Sequence, residues 1–408
     1  MEFDTDIAIV GGGLNGPALA LALAQGGIRS TILDAAPLAP MMEADFDGRA
    51  YAIALASRRL LEGIGVWPDV EGHAQPILDI KVSDGREGEG ASPLHVHFDH
   101  REIEEGPFGA LLEDRYLRAA LIGAVAAEDL VEHRSEARVT AQAPDATGIT
   151  LTLDDGSRLR SRLVGGCDGR RSGTAERAGI GRTIRDYGQT SLVCALDHER
   201  PHRGIAHQMF LPAGPLAILP LPGNRSSIVW TETTERAAEI MRLEDDAYME
   251  VLRPRFGDFL GAIALVGGRY CYPLNLTLAN RFTADRLALA GDAAHGLHPI
   301  AGQGLNLGLR DVAALAEVVV DARRRGEDIG TRGVLDRYAR WRRFDTAALA
   351  LATDGINRLF SNDNPILRGI RDLGLAAVNA TPAARRAFMR EAAGLTGDVP
   401  RLMRGLPL

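Results

Sequence analysis

The sequence falls in the α/β class, with an α+β insertion expected in the middle of the chain. Three observations place it there. A strand, a glycine turn and a helix open the chain. Strand-like alternation broken by proline and glycine recurs between residues 75 and 234. A second strand, glycine-rich loop and helix run from Arg286 to Leu315.

At the N-terminus, Asp6 to Val10 (DIAIV) is a short apolar strand, followed directly by Gly11-Gly12-Gly13-Leu14-Asn15-Gly16. Pro17 to Gln25 is helical, and Ile28 to Leu33 is a second strand ending at Asp34. This is G-x-G-x-x-G between a strand and a helix, with an acid closing the next strand: the Rossmann-like dinucleotide fingerprint. Gly11 makes the tight turn, Gly13 admits a pyrophosphate, Gly16 lets helix and strand pack closely, and Asp34 accepts hydrogen bonds from a ribose. The motif does not choose between FAD and NAD(P).

The late segment reads RLALAGDAAHGLHPIAGQGLNLGLRDVAAL. Leu287 to Ala290 is a buried strand that ends at Asp292, where a carboxylate can take a hydrogen bond from a ribose or ribityl hydroxyl. Gly302 and Gly304 let backbone N–H groups approach a ligand, and the helix starting near Gly304 to Asn306 turns its positive end toward an anion or an electron-rich ring. His295 and His298 are acid–base candidates by position. Between the two glycine-rich segments, an apolar strand ends at Cys167-Asp168-Gly169, followed by Arg170, Arg171 and Ser172.

The remaining elements follow from periodicity. Ser57 to Trp67 is an amphipathic helix, and a helical region from Glu105 to Leu130 is expected to open at Leu111 to Leu121. Ala137 to Leu163 gives three short strands turning at Asp154-Asp155-Gly156, and Tyr187 to Thr234 is strand-rich. Ala237 to Phe259 is helical. The tail from Gly355 sets Ile366, Leu367, Ile370 and Leu373 beside Arg368 and Arg371, then Arg385, Arg386 and Arg390 on a last helix, a basic amphipathic surface suited to a membrane or a partner.

The 408 residues are 46% hydrophobic and 25% charged, which suits a globular chain of two or three domains. A net charge of −8 and a pI near 5.7 argue against nucleic-acid binding through a basic face. Cys167, Cys194 and Cys271 are scattered and odd in number, so no metal and no disulfide framework are expected, and the expected compartment is the reducing cytoplasm. His95, His97 and His100 alternate along a strand and read as one packed or solvated face. The acidic start carries no secretory signal, and no apolar run reaches the roughly 20 residues of a transmembrane segment.

GDAAH followed by HPIAGQGLNLGLRDV resembles the flavin-contacting segment of the FAD-dependent aromatic hydroxylases, most closely the branch that hydroxylates ubiquinone precursors. Asp47-Gly48-Arg49-Ala50, the Asp168-Gly169 pair, Asp186-Tyr187-Gly188-Gln189 and the run from Gly214 to Leu221 are similar to motifs of the same branch, in the same order. Met209 departs from its usual arginine. Ala175 departs from another; either Arg177 is its substitute or the contact is absent.

The resemblance implies a fold of the para-hydroxybenzoate-hydroxylase type. Residues 1–71, 106–184 and 276–340 would form a Rossmann-like FAD-binding domain, residues 72–105 and 185–275 a β-rich substrate domain, and residues 341–408 C-terminal helices. It implies that Arg49 lies near the flavin and pyrophosphate, that Asp168 touches the FAD and bears on NAD(P)H use, and that the backbone of Gly302, Gly304, Leu305 and Asn306 cradles the isoalloxazine. The Pro299 carbonyl would face the reacting ring as the catalytic contact. The implied chemistry is NAD(P)H reduction of FAD, formation of a flavin hydroperoxide with O2, and attack on a polyprenylated phenol in ubiquinone biosynthesis. A ubiquinone-biosynthesis complex and peripheral contact with the inner membrane are further expectations. Three alternatives stay open: a hydroxylase of another aromatic compound, a flavin reductase or dehydrogenase, and a non-catalytic flavoprotein member of such a complex.

Overall fold

The computed structural model describes residues 2–38, 48–86, 88, 90–298, 302–361 and 364–408; Asp47 and Pro299 lie outside them. Strand β1 (Thr5–Val10) is apolar on both faces, as a parallel strand covered by helices on both sides must be. Helix α1 (Asn15–Gln25) returns the chain to β2 (Ser30–Leu33), which pairs with β1 in parallel. Next come β3 (Ala50–Ala54), α2 (Leu55–Gly63), β4 (Asp79–Arg86), β5 (Gly109–Glu113) and α3 (Asp114–Ala126).

Strand β5 corrects one expectation. The helix expected to open at Leu111 starts at Asp114, and Gly109 to Glu113 instead pair antiparallel with β3. Ala110, Leu111 and Leu112 are buried together. A short apolar run covered on both sides carries no periodicity that separates strand from helix.

Strand β6 (Val131–Arg134) pairs with β2, and β7 (Val139–Pro144), β8 (Ile149–Leu153) and β9 (Arg158–Gly166) form a meander. Strand β9 serves two sheets' worth of pairing: Arg158 to Ser161 pair antiparallel with β8, while its later half pairs in parallel with β1. The second sheet is built from β10 (Arg182–His198), β11 (Ile205–Leu211), β12 (Gly214–Leu221) and β13 (Arg225–Thr233). Helices α4 (Thr234–Met241) and α5 (Asp245–Phe256) cover it before β14 (Ile263–Ala279) completes it. Its order is β14-β10-β13-β12-β11-β4, so β4 arrives from far upstream and pairs in parallel with β11. Strand β15 (Leu287–Leu289) then joins β9, giving the first sheet a parallel order β6-β2-β1-β9-β15. Helices α6 (Gln303–Arg324), α7 (Arg332–Phe360), α8 (Pro365–Ala380) and α9 (Pro382–Ala392) finish the chain.

Alternation along the second sheet divides its residues between two faces. Leu192, Cys194, Leu216, Ile228 and Trp230 pack with Ile240, Tyr248 and Leu252 of α4 and α5. Ser191, Val193, Ala195, Ala217, Val229 and Thr231 therefore face the other way. Of the three histidines expected on one strand, only His97 lies in the Val96–Asp99 strand, its Nε2 meeting Asp79 at 2.7 Å; His100 opens the short turn after it and its Nδ1 meets the Leu78 carbonyl at 2.8 Å. All three cysteines are free thiols.

The C-terminal helices are fastened to the second sheet by one buried ion pair. Arg371 on α8 donates Nε to Asp84 of β4 at 2.9 Å and Nη2 to the same oxygen at 2.7 Å, with both side chains almost fully covered. Arg371→Met leaves Asp84 as a buried carboxylate without its arginine, a loss of roughly 3–5 kcal/mol. The expected result is a lower urea midpoint and faster proteolytic release of the segment beyond α7, measured against the wild-type chain.

Candidate active site

The C-terminal ends of β1, β9 and β15 lie side by side, because Val10 pairs with Gly166 and Gly166 with Leu289. The three turns that follow these strands, at Gly11, Asp168 and Asp292, thus emerge along one edge. In open α/β sheets such an edge is where ligands bind.

At the first turn, a Cβ on Gly16 would lie 1.9 Å from the Gly11 carbonyl oxygen, so only glycine lets α1 sit this close to the strand end. A Cβ on Gly13 would meet nothing within 4 Å. Helix α1 begins there with no side-chain cap, leaving N–H groups for a ligand. Asp34 holds the turn: one oxygen accepts the Gly12 N–H at 2.6 Å and the other the Ala36 N–H at 2.8 Å. Each oxygen keeps a lone pair for a further donor.

At the β15 turn, Asn15 is wedged between two glycines. A Cβ on Gly291 would lie 2.1 Å from its Nδ2, and one on Gly308 would lie 2.7 Å from its Oδ1. That Oδ1 is buried without a partner. Asp292 is half-exposed, and its Oδ2 accepts from Arg170 Nε at 3.1 Å. Beneath the turn lies Asp311, with no exposed surface. Its Oδ2 accepts the Gly291 N–H at 2.9 Å and meets His295 Nε2 at 2.6 Å; its Oδ1 accepts Arg342 Nε at 2.7 Å. Burial alone would push this carboxyl up, but His295 and Arg342 together hold it below the ordinary carboxylate value. His295 is thereby a fastening of the turn.

The start of α6 is docked on β3. Gly302 caps it in the left-handed region (φ 63°), and Asn306 acts like an added strand residue. Its Oδ1 accepts the Ala54 N–H at 2.9 Å, and its Nδ2 donates to the Ala52 carbonyl at 2.7 Å and the Gly302 carbonyl at 3.2 Å. Leu305 packs half-buried against the main core, and a Cβ on Gly304 would meet nothing within 4 Å. Arg49, just before β3, reaches the buried Asp114 at 3.2 Å. Asp114 also accepts the Tyr51 hydroxyl at 3.0 Å and two bonds from Arg118 at 2.9 Å. Burial, reinforced by Asp114, pushes the Tyr51 phenol well up.

The Asp-Gly turn is also internally bonded. Asp168 accepts the Thr174 N–H at 2.9 Å, the Thr174 hydroxyl at 2.8 Å and the Ser172 hydroxyl, closing the short Gly173–Arg177 helix. Arg177, two residues beyond the buried Ala175, donates to Thr174 at 3.2 Å and Gln142 at 3.4 Å.

Of the residues singled out in the sequence, the structure sets Gly11, Gly13, Gly16, Asp34, Asp168 and Asp292 in turns along one edge of the first sheet, while Gly302, Gly304, Leu305 and Asn306 lie at the start of α6 and Arg49 lies just before β3. Sequence reasoning passed over Asn15, Asp311 and Arg342. Two of these had a signal: Asn15 interrupts an apolar stretch, and Asp311 sits inside an otherwise apolar helix face. Arg342 had none, because α7 carries many arginines.

Two open glycine positions and two uncapped helix starts on one sheet edge fit a ligand with a diphosphate, which defines a dinucleotide-binding protein. Comparison with known proteins agrees. The FAD binding domain family profile matches residues 4–350. The ubiquinone hydroxylase UbiL of Rhodospirillum rubrum is 47% identical over 406 residues, 99% of this chain and 93% of that one. The 3-demethoxyubiquinol 3-hydroxylase of Escherichia coli is 36% identical, covering 96% of this chain and 99% of that one. The crystal structure of the p-nitrophenol 4-monooxygenase PnpA of Pseudomonas putida superposes with a TM-score of 0.80 at 20% identity, covering 98% of this chain and all of that one, a likeness of fold. The chain belongs to the FAD binding domain family, in its ubiquinone-biosynthesis hydroxylase branch, and FAD is its cofactor.

Two glycine variants separate folding from cofactor binding. Gly16→Ala forces overlap with a carbonyl and is expected to cost about 3 kcal/mol or more in stability without FAD. Gly13→Ala is expected to leave that stability within about 0.5 kcal/mol while weakening FAD at least roughly tenfold, read by fluorescence titration. Asp311→Asn tests the buried cluster. The folded carboxyl titrates below its ordinary value of about 4, so its contribution is present above that pH and fades as pH falls through the folded value. In the variant, stability near pH 7 drops by roughly 3–5 kcal/mol and this acid-side loss is absent, as urea midpoints from about pH 7 to pH 3 would record.

Proposed function

We propose that the chain is an NAD(P)H- and O2-dependent monooxygenase that hydroxylates the ring of a polyprenylated phenol in ubiquinone biosynthesis. The observation that carries this reading is a junction. Just beyond Asp292, His295 and Gly296 pair with Leu278 and Thr277 of β14. The cofactor turn is thus hydrogen-bonded to the edge of the second sheet. That sheet turns Val193, Ala195, Ala217 and Val229 away from its own helices, a largely apolar wall fit for an aromatic ring with a hydrocarbon tail.

Bound FAD supplies hydride acceptance and oxygen activation. The chain's residues bind, orient and exclude water. Gly13 and the start of α1 take the diphosphate, with Gly11 and Gly16 fixing the turn and Asp34 facing the adenosine ribose. Asp292 receives a ribityl hydroxyl, and Arg49 supplies positive charge near the diphosphate. Asp168 positions the turn between them. The backbone at Gly302, Gly304, Leu305 and Asn306 cradles the ring system, with Asn306 acting through its grip on β3. For Pro299, the carbonyl contact with the reacting ring rests on the resemblance.

We infer peripheral contact with an anionic lipid surface through α7, α8 and α9. Residues 332–408 hold thirteen arginines against seven acids in a chain of net charge −8. Phe344, Leu351, Ile370, Leu373 and Phe388 are each more than half exposed in that segment. No described helix is long and apolar enough to cross a membrane. Exposed apolar side chains among arginines suit the headgroup region of a bilayer.

Deletion of the gene, with mass spectrometry of quinone precursors, tests the substrate: loss of ubiquinone with one prenylated phenol accumulating is expected, and intact ubiquinone without a redundant hydroxylase would refute it. For the surface, phosphatidylglycerol vesicles should sediment the wild type, while Phe344→Ser with Leu351→Ser should bind about tenfold more weakly. Equal sedimentation with neutral phosphatidylcholine would overturn the charge argument.

A further inference from the structure

One fully buried histidine has no bonding role in the architecture described so far. His298 follows the short His295–Gly296 strand and is 1% exposed, yet neither ring nitrogen has a hydrogen-bond partner. Its ring meets Tyr187 edge to face, with centroids 5.2 Å apart and planes at 74°. Tyr187 belongs to β10 where the register with β14 shifts between Asp186 and Gln189, and its buried hydroxyl faces Asp354 of α7. Asp354 Oδ2 in turn takes Arg358 at 3.0 Å and Arg185 at 3.4 Å.

Folded proteins leave few buried donors or acceptors unmade. Both ring nitrogens of His298 are such atoms, and they lie just beyond the cofactor turn. Building on the hydroxylase reading, we propose that His298, braced by the Tyr187 ring, orients the substrate by hydrogen-bonding its phenolic hydroxyl. The wall of the second sheet recognises the hydrocarbon; His298 recognises the oxygen.

The role is orientation. Burial lowers His298 to about 4, so the imidazole is neutral at physiological pH and offers one donor and one acceptor. A phenol near pH 10 would lose its proton to such a group only against a gap of roughly 6 pH units, about 8 kcal/mol, which leaves hydrogen-bonding as the accessible interaction. Tyr187, raised to about 12 by burial and then by Asp354, stays protonated and can donate.

The test uses the FAD-loaded protein and two probes, 2-prenylphenol and its O-methyl ether, with binding read from the flavin absorbance spectrum. Wild type is expected to prefer the phenol about tenfold, the value of one hydrogen bond. His298→Leu should retain FAD, melt at the same or a higher temperature because an unpaired polar group is gone, and lose that preference. His298→Gln, which keeps a donor and an acceptor, should restore part of it. A wild-type preference unchanged in His298→Leu overturns the assignment, as does a lower melting temperature with the preference intact in His298→Gln and His298→Leu alike. If wild type binds neither probe, the hydroxylase reading fails instead. Should His298→Leu fail to hold FAD, His298→Gln and Tyr187→Phe decide: no change in preference in either overturns the proposal.

Discussion

Asp311 is the constraint on which the site's geometry rests. One carboxylate, without exposed surface, receives a backbone N–H from the cofactor turn, the ring of His295 and the guanidinium of Arg342. Removing two charges from water costs several kcal/mol each, recovered only when the bonding geometry is good. The cluster therefore favours one arrangement of β15's turn, α6 and α7. Because His295 also pairs with β14, the same fastening sets where the second sheet stands relative to the cofactor edge.

The division of labour follows from that arrangement. The first sheet, parallel and covered on both faces, ends in turns whose backbone can meet a diphosphate. The second sheet carries α4 and α5 on one face, while Phe210 on its other face packs against Phe360 of α7. The Arg371–Asp84 pair closes the C-terminal helices over that second unit. The cofactor turn and the second sheet are thus joined at one hydrogen-bonded seam.

Several residues first read as ligand contacts prove to have protein partners as well. Asp34, Asp168 and Asn306 all bond to nearby backbone, and Arg49 to Asp114. Such bonding fixes the shape of the turns before a ligand arrives, which lowers the ordering cost of binding. His298 and Asn15 show the opposite pattern: buried polar atoms without partners.

The sequence by itself determined the two glycine-rich turns, the Asp-Gly turn between them, the β-rich middle and the helical end. These are local: a strand, a turn residue and a helix start lie within about a dozen positions, and backbone sterics choose the residues. It misjudged Gly109 to Glu113, whose strand state depends on pairing with β3 more than fifty residues earlier. Only the tertiary structure decided that Asp311 and Arg342 meet and that Asn15 fills the gap between Gly291 and Gly308. It also showed His298 unpartnered against Tyr187. Each of these depends on side chains brought together across distant parts of the chain, where burial and charge pairing act and periodicity carries no record of the partner.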